Sequence, residues 1–256
     1  WFKKIITIKR SFFYFMDINQ IKKQIKFDDF DFVYDLQTSK RTSFYLKFFH
    51  NEKVITNGIG KYANIEHDDP LRDMMHTYER QRDQILLSNI KHKSSLDLSW
   101  LFQSSFLVPK KKFVLIVPGG SKKRTNKRIP FAVYKQIIIF LLRYNFEVLI
   151  IGTVEDEEIC KKIKLKFPNV KNLCNKTSLF DLGKLSKQTS ISIGNDTGPM
   201  HLISKGGRNT FVFFTKFSKP ELCKPIGEKV SIFNFQNNEE NFITEVLQKL
   251  KIKLTL

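Results

Sequence analysis

The stretch Ile191-Ser-Ile-Gly-Asn-Asp-Thr-Gly-Pro-Met-His-Leu-Ile203 constrains the fold of this chain more than any other. Ser190 to Gly194 alternates as a short buried strand. Asn195, Asp196 and Thr197 then break it with polar, turn-prone residues. Asp196 or Thr197 is placed to cap a helix that starts near Gly198-Pro199, since proline is accepted in a first helical turn. Strand, polar turn and helix start is the layout with which α/β proteins bind anions, because the unpaired N–H groups of the first turn and the helix dipole both favour negative charge. Asp196 falls at the carboxyl end of the strand, where open parallel sheets take ligands. The same residues also fit an ordinary βα turn whose aspartate only caps the helix.

The rest of the second half repeats that unit. Strands are predicted at Phe113–Val117, Glu147–Ile151, Val170–Leu173, Ser190–Gly194 and Thr210–Phe214, with a short extended piece at Val230–Phe233. Helices are predicted over Pro130–Arg143, Glu155–Lys166, Ser178–Lys187, Pro199–Lys205 and Glu239–Lys251. Such alternation is a doubly wound α/β domain. The first half reads as βαβαβ, with strands at Lys4–Ile8, Asp31–Leu36 and Lys53–Thr56. Its helices are expected over Asp17–Lys26, with Asp17 as cap, and over Thr42–Phe49. A long charged helix over Pro70–Ser88 carries His76 as a solvated residue, and Asn89–Lys112 connects two domains, 1–95 and 96–256.

Composition removes several classes of function. No run reaches the roughly 18 apolar residues of a membrane span. The start, Trp1-Phe-Lys-Lys, lacks both an initiator methionine and a signal-peptide layout, which suggests that the sequence begins inside a domain. Cys160, Cys174 and Cys223 are widely spaced and show no CxxC pattern, so they read as reduced, mostly buried and cytosolic, without zinc. The formal charge of +19 suits a polyanionic partner, or equally a bias toward lysine spread along the whole chain. The basic residues are not interleaved with aromatics on a recognition module, so no nucleic acid partner is expected.

Three polar loops follow strands of the second half and therefore face one edge of its sheet. The first, Pro118 to Pro130, combines glycines that let a ligand approach the backbone with Ser121, Lys127 and Arg128. Lys110 to Arg128 holds eight basic residues and no acidic one, a cation supply that a diphosphate needs. It is not a Walker loop, since the GxxxxGK[ST] spacing is missing. The second loop, Gly152 to Glu158, opens a helix with acids that complement its dipole; Asp156 or Glu157 could instead bind ribose hydroxyls. The third runs from Asn195 to His201, and Thr177, read as a helix cap, could face the same cleft.

Asn195-Asp-Thr-Gly-Pro-Met-His-Leu202 resembles the D-[ST]-G-x-x-H-L motif of the glycosyltransferase family 9 heptosyltransferases, which add heptose to the inner core of lipopolysaccharide. Asp35-Leu-Gln37 with Lys40-Arg-Thr42 is similar to the family's D-L-Q…R-[ST], and Pro118-Gly-Gly-Ser121 with Lys127-Arg-Ile-Pro130 to its P-G-A-S…K-x-W-P. Lys176-Thr-Ser-Leu179 resembles G-K-[TM]-S-L, and Thr215 to Pro220 with Gly227 the closing T-x-P…P-x-G. Order and spacing agree across nearly the whole chain.

The resemblance implies a GT-B-like α/β fold of two Rossmann-like domains, the first incomplete at its N-terminus. The second would bind a nucleotide sugar, ADP-heptose in the usual case, and the first a lipid-linked phosphorylated glycan. Carried over by residue, Ser121 and Lys127 would contact the donor phosphates, Asp156 or Glu157 the ribose, and Thr177 the adenosine region. Asp196 would contact the sugar, Thr197 and Gly198 the diphosphate, and Met200 would belong to the same donor site. Asp196, Lys127 and His201 would be the catalytic set, His201 alternatively being a packing residue that fixes the loop. The reaction would be an inverting displacement through an oxocarbenium-like transition state, with no metal or other cofactor. It would take place in the cytoplasm, with peripheral contact to the inner membrane.

Two departures from the family are visible. Its first domain opens with a Gly-rich loop carrying G-D-[VL], whose aspartate is the expected general base, and nothing here matches it. Ile129 also stands where the family has tryptophan. The alternative is a catalytically silent protein that binds nucleotide or polyanion.

Overall fold

The computed structural model describes residues 3–26, 29–49, 53–90 and 97–254. The chain forms two compact units, Trp1–Ser95 and Leu96–Leu256.

In the first unit, helix α1 spans Tyr14–Lys22, strand β1 Phe32–Tyr34, α2 Lys40–Leu46, β2 Ile55–Gly58, β3 Ile65–Glu66 and α3 Thr77–Leu86. The three strands form a parallel sheet in the order β1-β2-β3, with Val33 opposite Thr56 and Asn57 opposite Ile65. The outline differs from the predicted one in four places. Lys4–Ile8 pairs with no strand among the described residues, and Ile5 is 77% exposed, so its alternation has no sheet to serve. β3 lies in a stretch that reads as polar turn. The predicted Pro70–Ser88 helix is split: a 3-10 turn at Arg72–Met74 gives way to extended Met75, and α3 starts afresh. His76 is its cap, with Nδ1 accepting from the Tyr78 amide at 3.2 Å.

The fourth difference is Asp17, which lies inside α1 instead of capping it. Its buried carboxylate accepts from Arg41 Nη1 at 2.6 Å, from the Tyr45 hydroxyl and from the Ser11 amide at 2.8 Å. One anion thus ties α1 to α2. The linking residues 91–96 of the predicted connection lie outside the described residues.

The second unit follows its predicted order closely. Strands β4 (Phe113–Val117), β5 (Glu147–Ile150), β6 (Lys171–Asn172), β7 (Ile191–Asn195), β8 (Asn209–Thr215) and β9 (Val230–Phe235) alternate with helices. The helices are α4 (Phe131–Arg143), α5 (Glu157–Lys166), α6 (Leu179–Gln188), α7 (Gly198–Ile203), the short α8 (Pro220–Cys223) and α9 (Glu239–Lys253). All six strands are parallel, in the order β6-β5-β4-β7-β8-β9. β4 is buried along its whole length, as parallel strands covered on both faces are. Its alternate residues feed two cores: Val114 and Ile116 pack with α4 and α9, whereas Phe113, Leu115 and Val117 pack with α6 and α7. Phe211, Phe213, Phe233, Phe235 and Phe242 interlock between β8, β9 and α9 through mostly edge-to-face pairs. The three cysteines are free thiols, Cys160 and Cys174 being buried. No described helix is long and apolar enough to cross a membrane.

Candidate functional site

Numbered within the second unit, the strand order is 3-2-1-4-5-6. The chain reverses direction across the sheet between β4 and β7, and a crevice opens at the carboxyl ends of those two strands. A pocket of about 510 Å³ occupies it. Its walls are the loop after β4, the start of the turn after β5, and Asn195 to Pro199 after β7. Lys123, Arg124, Lys127 and Arg128 line it, against the carboxylates Glu155, Asp156 and Asp196. The segment from Lys122 to Lys127 is wound into 3-10 turns kinked at Arg124, which gathers these cations on one side.

Asn195 holds the two sides together. It is the last residue of β7, 1% exposed, and not the strand breaker that its type suggests. Its Nδ2 donates to the Pro118 and Gly119 carbonyls at 2.8 and 2.9 Å. Its Oδ1 accepts from the fully buried Tyr134 hydroxyl at 2.7 Å and the Ile129 amide at 3.4 Å. A buried amide with all its groups satisfied fixes its surroundings rigidly. Burial alone pushes the Tyr134 phenol well above its ordinary pKa, so it stays a donor. Ile129, at the position where the family carries tryptophan, is buried under this junction.

Lys127 reaches across the pocket to Asp196, Nζ to Oδ2 at 2.8 Å, with little of either side chain exposed. The same oxygen accepts from the Ser218 hydroxyl, and Cys223 Sγ lies 3.9 Å away. Burial and the Asp196 charge push the Cys223 thiol up, so it remains protonated. Asp196 therefore does not cap α7. Thr197 holds the cap position without a side-chain bond, and its buried Oγ1 has no partner. Nothing lies within 4 Å of where a Cβ on Gly198 would sit, so α7 opens onto empty space. With only six residues, α7 supplies a weak dipole, and most of the positive potential comes from the side chains.

Other predicted site residues are placed differently. Asp156 turns inward: Oδ1 accepts from the Gly120 amide at 2.8 Å, and Oδ2 from the Thr153 amide and hydroxyl at 2.9 and 3.1 Å. Both oxygens accept bonds from the protein, so Asp156 shapes the glycine loop while lining the pocket. Glu157 pairs with Lys161 at 2.8 Å and Asn175 at 3.1 Å, off the pocket wall. Those bonds hold its carboxyl below the usual range. Glu155, unlike Glu157, lines the pocket wall beside Asp156. Met200 is fully buried in the core beneath β7, under Gly194, where a Cβ would come within 2.8 Å of its sulfur. His201 is exposed and lies outside the pocket lining. Ser121 lines the rim and its hydroxyl accepts from the Lys123 amide. Thr177 lines an adjoining depression of about 590 Å³ that shares Thr153 and Glu155 with the main pocket; its neighbour Ser178 caps α6. Among the described residues, no group of three or more His, Cys, Asp or Glu side chains is placed to hold a metal ion.

Tyr134 lies outside every motif, and Asn195, Ser218 and Glu155, though inside the quoted segments, are assigned no role by them. A tyrosine on an otherwise apolar helix face is the one signal that a buried polar partner exists.

This sheet order, with a cation-lined crevice at its reversal point, is that of the doubly wound, Rossmann-like class of α/β unit. The chain belongs to glycosyltransferase family 9, the heptosyltransferase family, which residues 18–251 match. It is 30% identical over 125 residues to a lipooligosaccharide heptosyltransferase 2 of Campylobacter jejuni, a match covering 46% of this chain and 39% of that protein. The fold is similar to that of E. coli ADP-heptose lps heptosyltransferase II, with a TM-score of 0.68 at 16% identity over 90% of this chain and 78% of that one. It is also similar to E. coli heptosyltransferase WaaC with ADP, with a TM-score of 0.67 at 18% identity over 88% and 73% of the two chains. These structures share its α/β architecture of parallel sheets, the GT-B-like class.

Proposed function

We propose that this protein transfers a heptose from ADP-heptose to an inner-core lipopolysaccharide or lipooligosaccharide acceptor, with inversion at the anomeric carbon. The pocket in which Lys127 meets Asp196 beside the open start of α7 carries this reading. The diphosphate would lie over Gly120, Thr197 and Gly198. Lys127 would swing from Asp196 to a phosphate oxygen, with Ser121 and Arg128 nearby, and Thr197 Oγ1 would gain the partner it lacks. Glu155 would take the ribose, and the adenine would extend toward Thr177. Asp196, released, would hold the sugar. As the bond to the leaving ADP lengthens, negative charge grows on the diphosphate, and fixed cations there lower the barrier.

The acceptor hydroxyl must lose its proton. Asp196 and Asp156 are both engaged, so the base is to be sought outside this pocket. The first unit would bind the phosphorylated, lipid-linked acceptor, which places the reaction at the cytosolic face of the inner membrane. The test is calorimetric titration with ADP, followed by incubation with ADP-heptose and a core acceptor read by mass spectrometry. ADP binding and a heptose-sized mass gain are expected. Absence of ADP binding would overturn the reading, and ADP binding without transfer would leave a silent nucleotide-binding protein.

A further inference from the structure

The first unit holds a second set of polar groups that no contact described so far explains. Asp35 follows β1 and His67 follows β3, so both stand at the carboxyl edge of the parallel sheet, the edge at which such sheets take ligands. Arg72, in the 3-10 turn after His67, is 8% exposed, and His67 is 5% exposed. Arg72 spends Nη1 on Asp73 at 3.2 Å, while its Nε and Nη2 are buried without a partner. Arg80 Nε, from α3, is also buried without one.

Acceptors are stranded beside these donors. Asp35 Oδ1 accepts from the amides of Gln37 and Thr38, and Oδ2 has no partner. Gln84 gives its amide to the Asp35 carbonyl and to Asn57 Oδ1, and its own Oε1 is left over. His67 Nδ1 is unpaired too. The groups feel one another: burial and then the Arg80 charge push the Arg72 guanidinium down, while Asp73 and Asp35 push it up. Burial and then Arg72 lower His67, against Asp83, Asp69 and Asp68, so its imidazole is neutral near pH 7. Asp68, Asp69 and Asp73 are exposed, and solvent screens them. Arg80 and Gln84 stand one turn apart on α3, and Gln84 is bonded to the Asp35 carbonyl at 2.8 Å, so the helix brings Arg80 toward the same end of the sheet. Charged donors left unpaired in a protein interior are costly, which points to a ligand that pairs them.

We infer that Arg72, Arg80, Asp35 and Gln84 form a site for a phosphorylated sugar, the oxyanion taken by the two guanidinium groups and the hydroxyls by Asp35 Oδ2 and Gln84 Oε1. Guanidinium N–H donors fit an oxyanion, and stranded carboxylate and amide oxygens fit sugar hydroxyls, so one ligand satisfies both halves. The orphaned atoms are closed off from solvent, so a ligand reaches them only by opening the chain around Arg72, where Leu71 and Met74 on either side are exposed. The assignment rests on the acceptor role proposed for this unit and specifies which chemical feature of the acceptor it grips.

The full chain is saturated with ADP to occupy the second unit's pocket. It is then titrated in separate arms with glucose 6-phosphate, inorganic phosphate and glucose, with amide hydrogen exchange followed over residues 67–84. Glucose 6-phosphate should bind, inorganic phosphate more weakly and glucose not measurably, with protection confined to that segment. Arg72→Gln and Arg80→Gln should each weaken glucose 6-phosphate at least about tenfold, equivalent to about 1.4 kcal/mol, and leave ADP binding unchanged. No binding of glucose 6-phosphate, or protection only in the second unit, would overturn the site whatever the variants do. So would equal binding of phosphate and glucose 6-phosphate, which would make it a plain phosphate site. Loss of ADP binding itself would instead count against the transferase reading.

Discussion

Lys127 Nζ and Asp196 Oδ2 lie 2.8 Å apart across the crevice between β4 and β7, so the two residues proposed to hold the donor are paired with each other. Ser218 binds the same Asp196 oxygen, which keeps the carboxylate in place whether or not the lysine stays. On the proposed reading a diphosphate entering the pocket would compete with Asp196 for Lys127, and part of its binding free energy would be spent breaking an ion pair.

Asp196→Asn should release that competition. ADP is expected to bind as tightly as to the unaltered protein or a few-fold tighter, while turnover with ADP-heptose falls by about a hundredfold, since the sugar contact is lost. Lys127→Ala should lower ADP affinity about tenfold, as removal of one charge-assisted bond does. Calorimetry with ADP and initial rates with ADP-heptose measure both. Weaker ADP binding in Asp196→Asn would show that the pair does not compete with the donor.

Asn195 is the keystone of the same pocket, and its substitution should be felt as instability before it is felt in binding. Asn195→Asp sets a carboxylate oxygen against the Pro118 and Gly119 carbonyls in a buried site. The expected cost is about 2–4 kcal/mol, read from urea unfolding of the full chain. Tyr134→Phe removes only the donor to Asn195 Oδ1 and should cost about 1–2 kcal/mol. Because the two share one network, the double variant should cost less than the sum.

Legibility in the sequence followed burial. β4, β5 and β8 read as apolar runs and β7 as a short alternation, all covered on both faces, so their limits are visible to within about two residues. β1 and β2 are short but fall on the strands read at Asp31–Leu36 and Lys53–Thr56, the second running on through Asn57 and Gly58, whereas β3, of two residues, carries no period to read. Lys127 and Asp196 stand out because a motif spaces them, and their meeting follows from the loops sharing one sheet edge. Asp156 reads as one acid among several at a helix start. Its Oδ2 closes a local capping box with Thr153, but its Oδ1 is bound by the Gly120 amide, 36 residues earlier, and no local pattern encodes that second bond. Asn195 misleads for the same reason: polar type suggests a turn, whereas its partners Pro118, Gly119 and Tyr134 lie far away in the chain.

Gly119 and Asp156 form a coupled pair. A Cβ on Gly119 would fall inside the van der Waals contact distance of the Asp156 carboxylate. Gly119→Ala should therefore displace Asp156 and cost about 1–3 kcal/mol. Asp156→Ala strands the Gly120 and Thr153 amides and should cost about 2 kcal/mol. With the carboxylate gone the added methyl meets less resistance, so the double variant should be no less stable than Asp156→Ala by more than about 0.5 kcal/mol. Urea unfolding of the three variants decides it, and simple additivity would refute the coupling.

The Asp17–Arg41–Tyr45 cluster gives the first unit its own pH signature. Burial would raise the Asp17 pKa, but bonds from Tyr45 and Ser11 and the Arg41 charge outweigh it, and the carboxyl ends below its ordinary 3.8. The stabilisation is present above the unfolded value and is lost as pH falls through the lower folded one, so the first unit should weaken below about pH 4. Burial, then the bond to Asp17, pushes the Tyr45 phenol from 10.0 to about 12. That contribution is whole below pH 10 and fades as pH rises toward about 12. Amide hydrogen exchange over residues 14–46, followed across both ranges, should show protection falling at the two extremes ahead of the second unit. Asp17→Asn removes the titrating acid and should flatten the acid limb, and it should return the Tyr45 titration toward 10. A Tyr45 that still titrates near 12 in that variant would show that burial alone sets its pKa and that Asp17 contributes nothing to the alkaline limb.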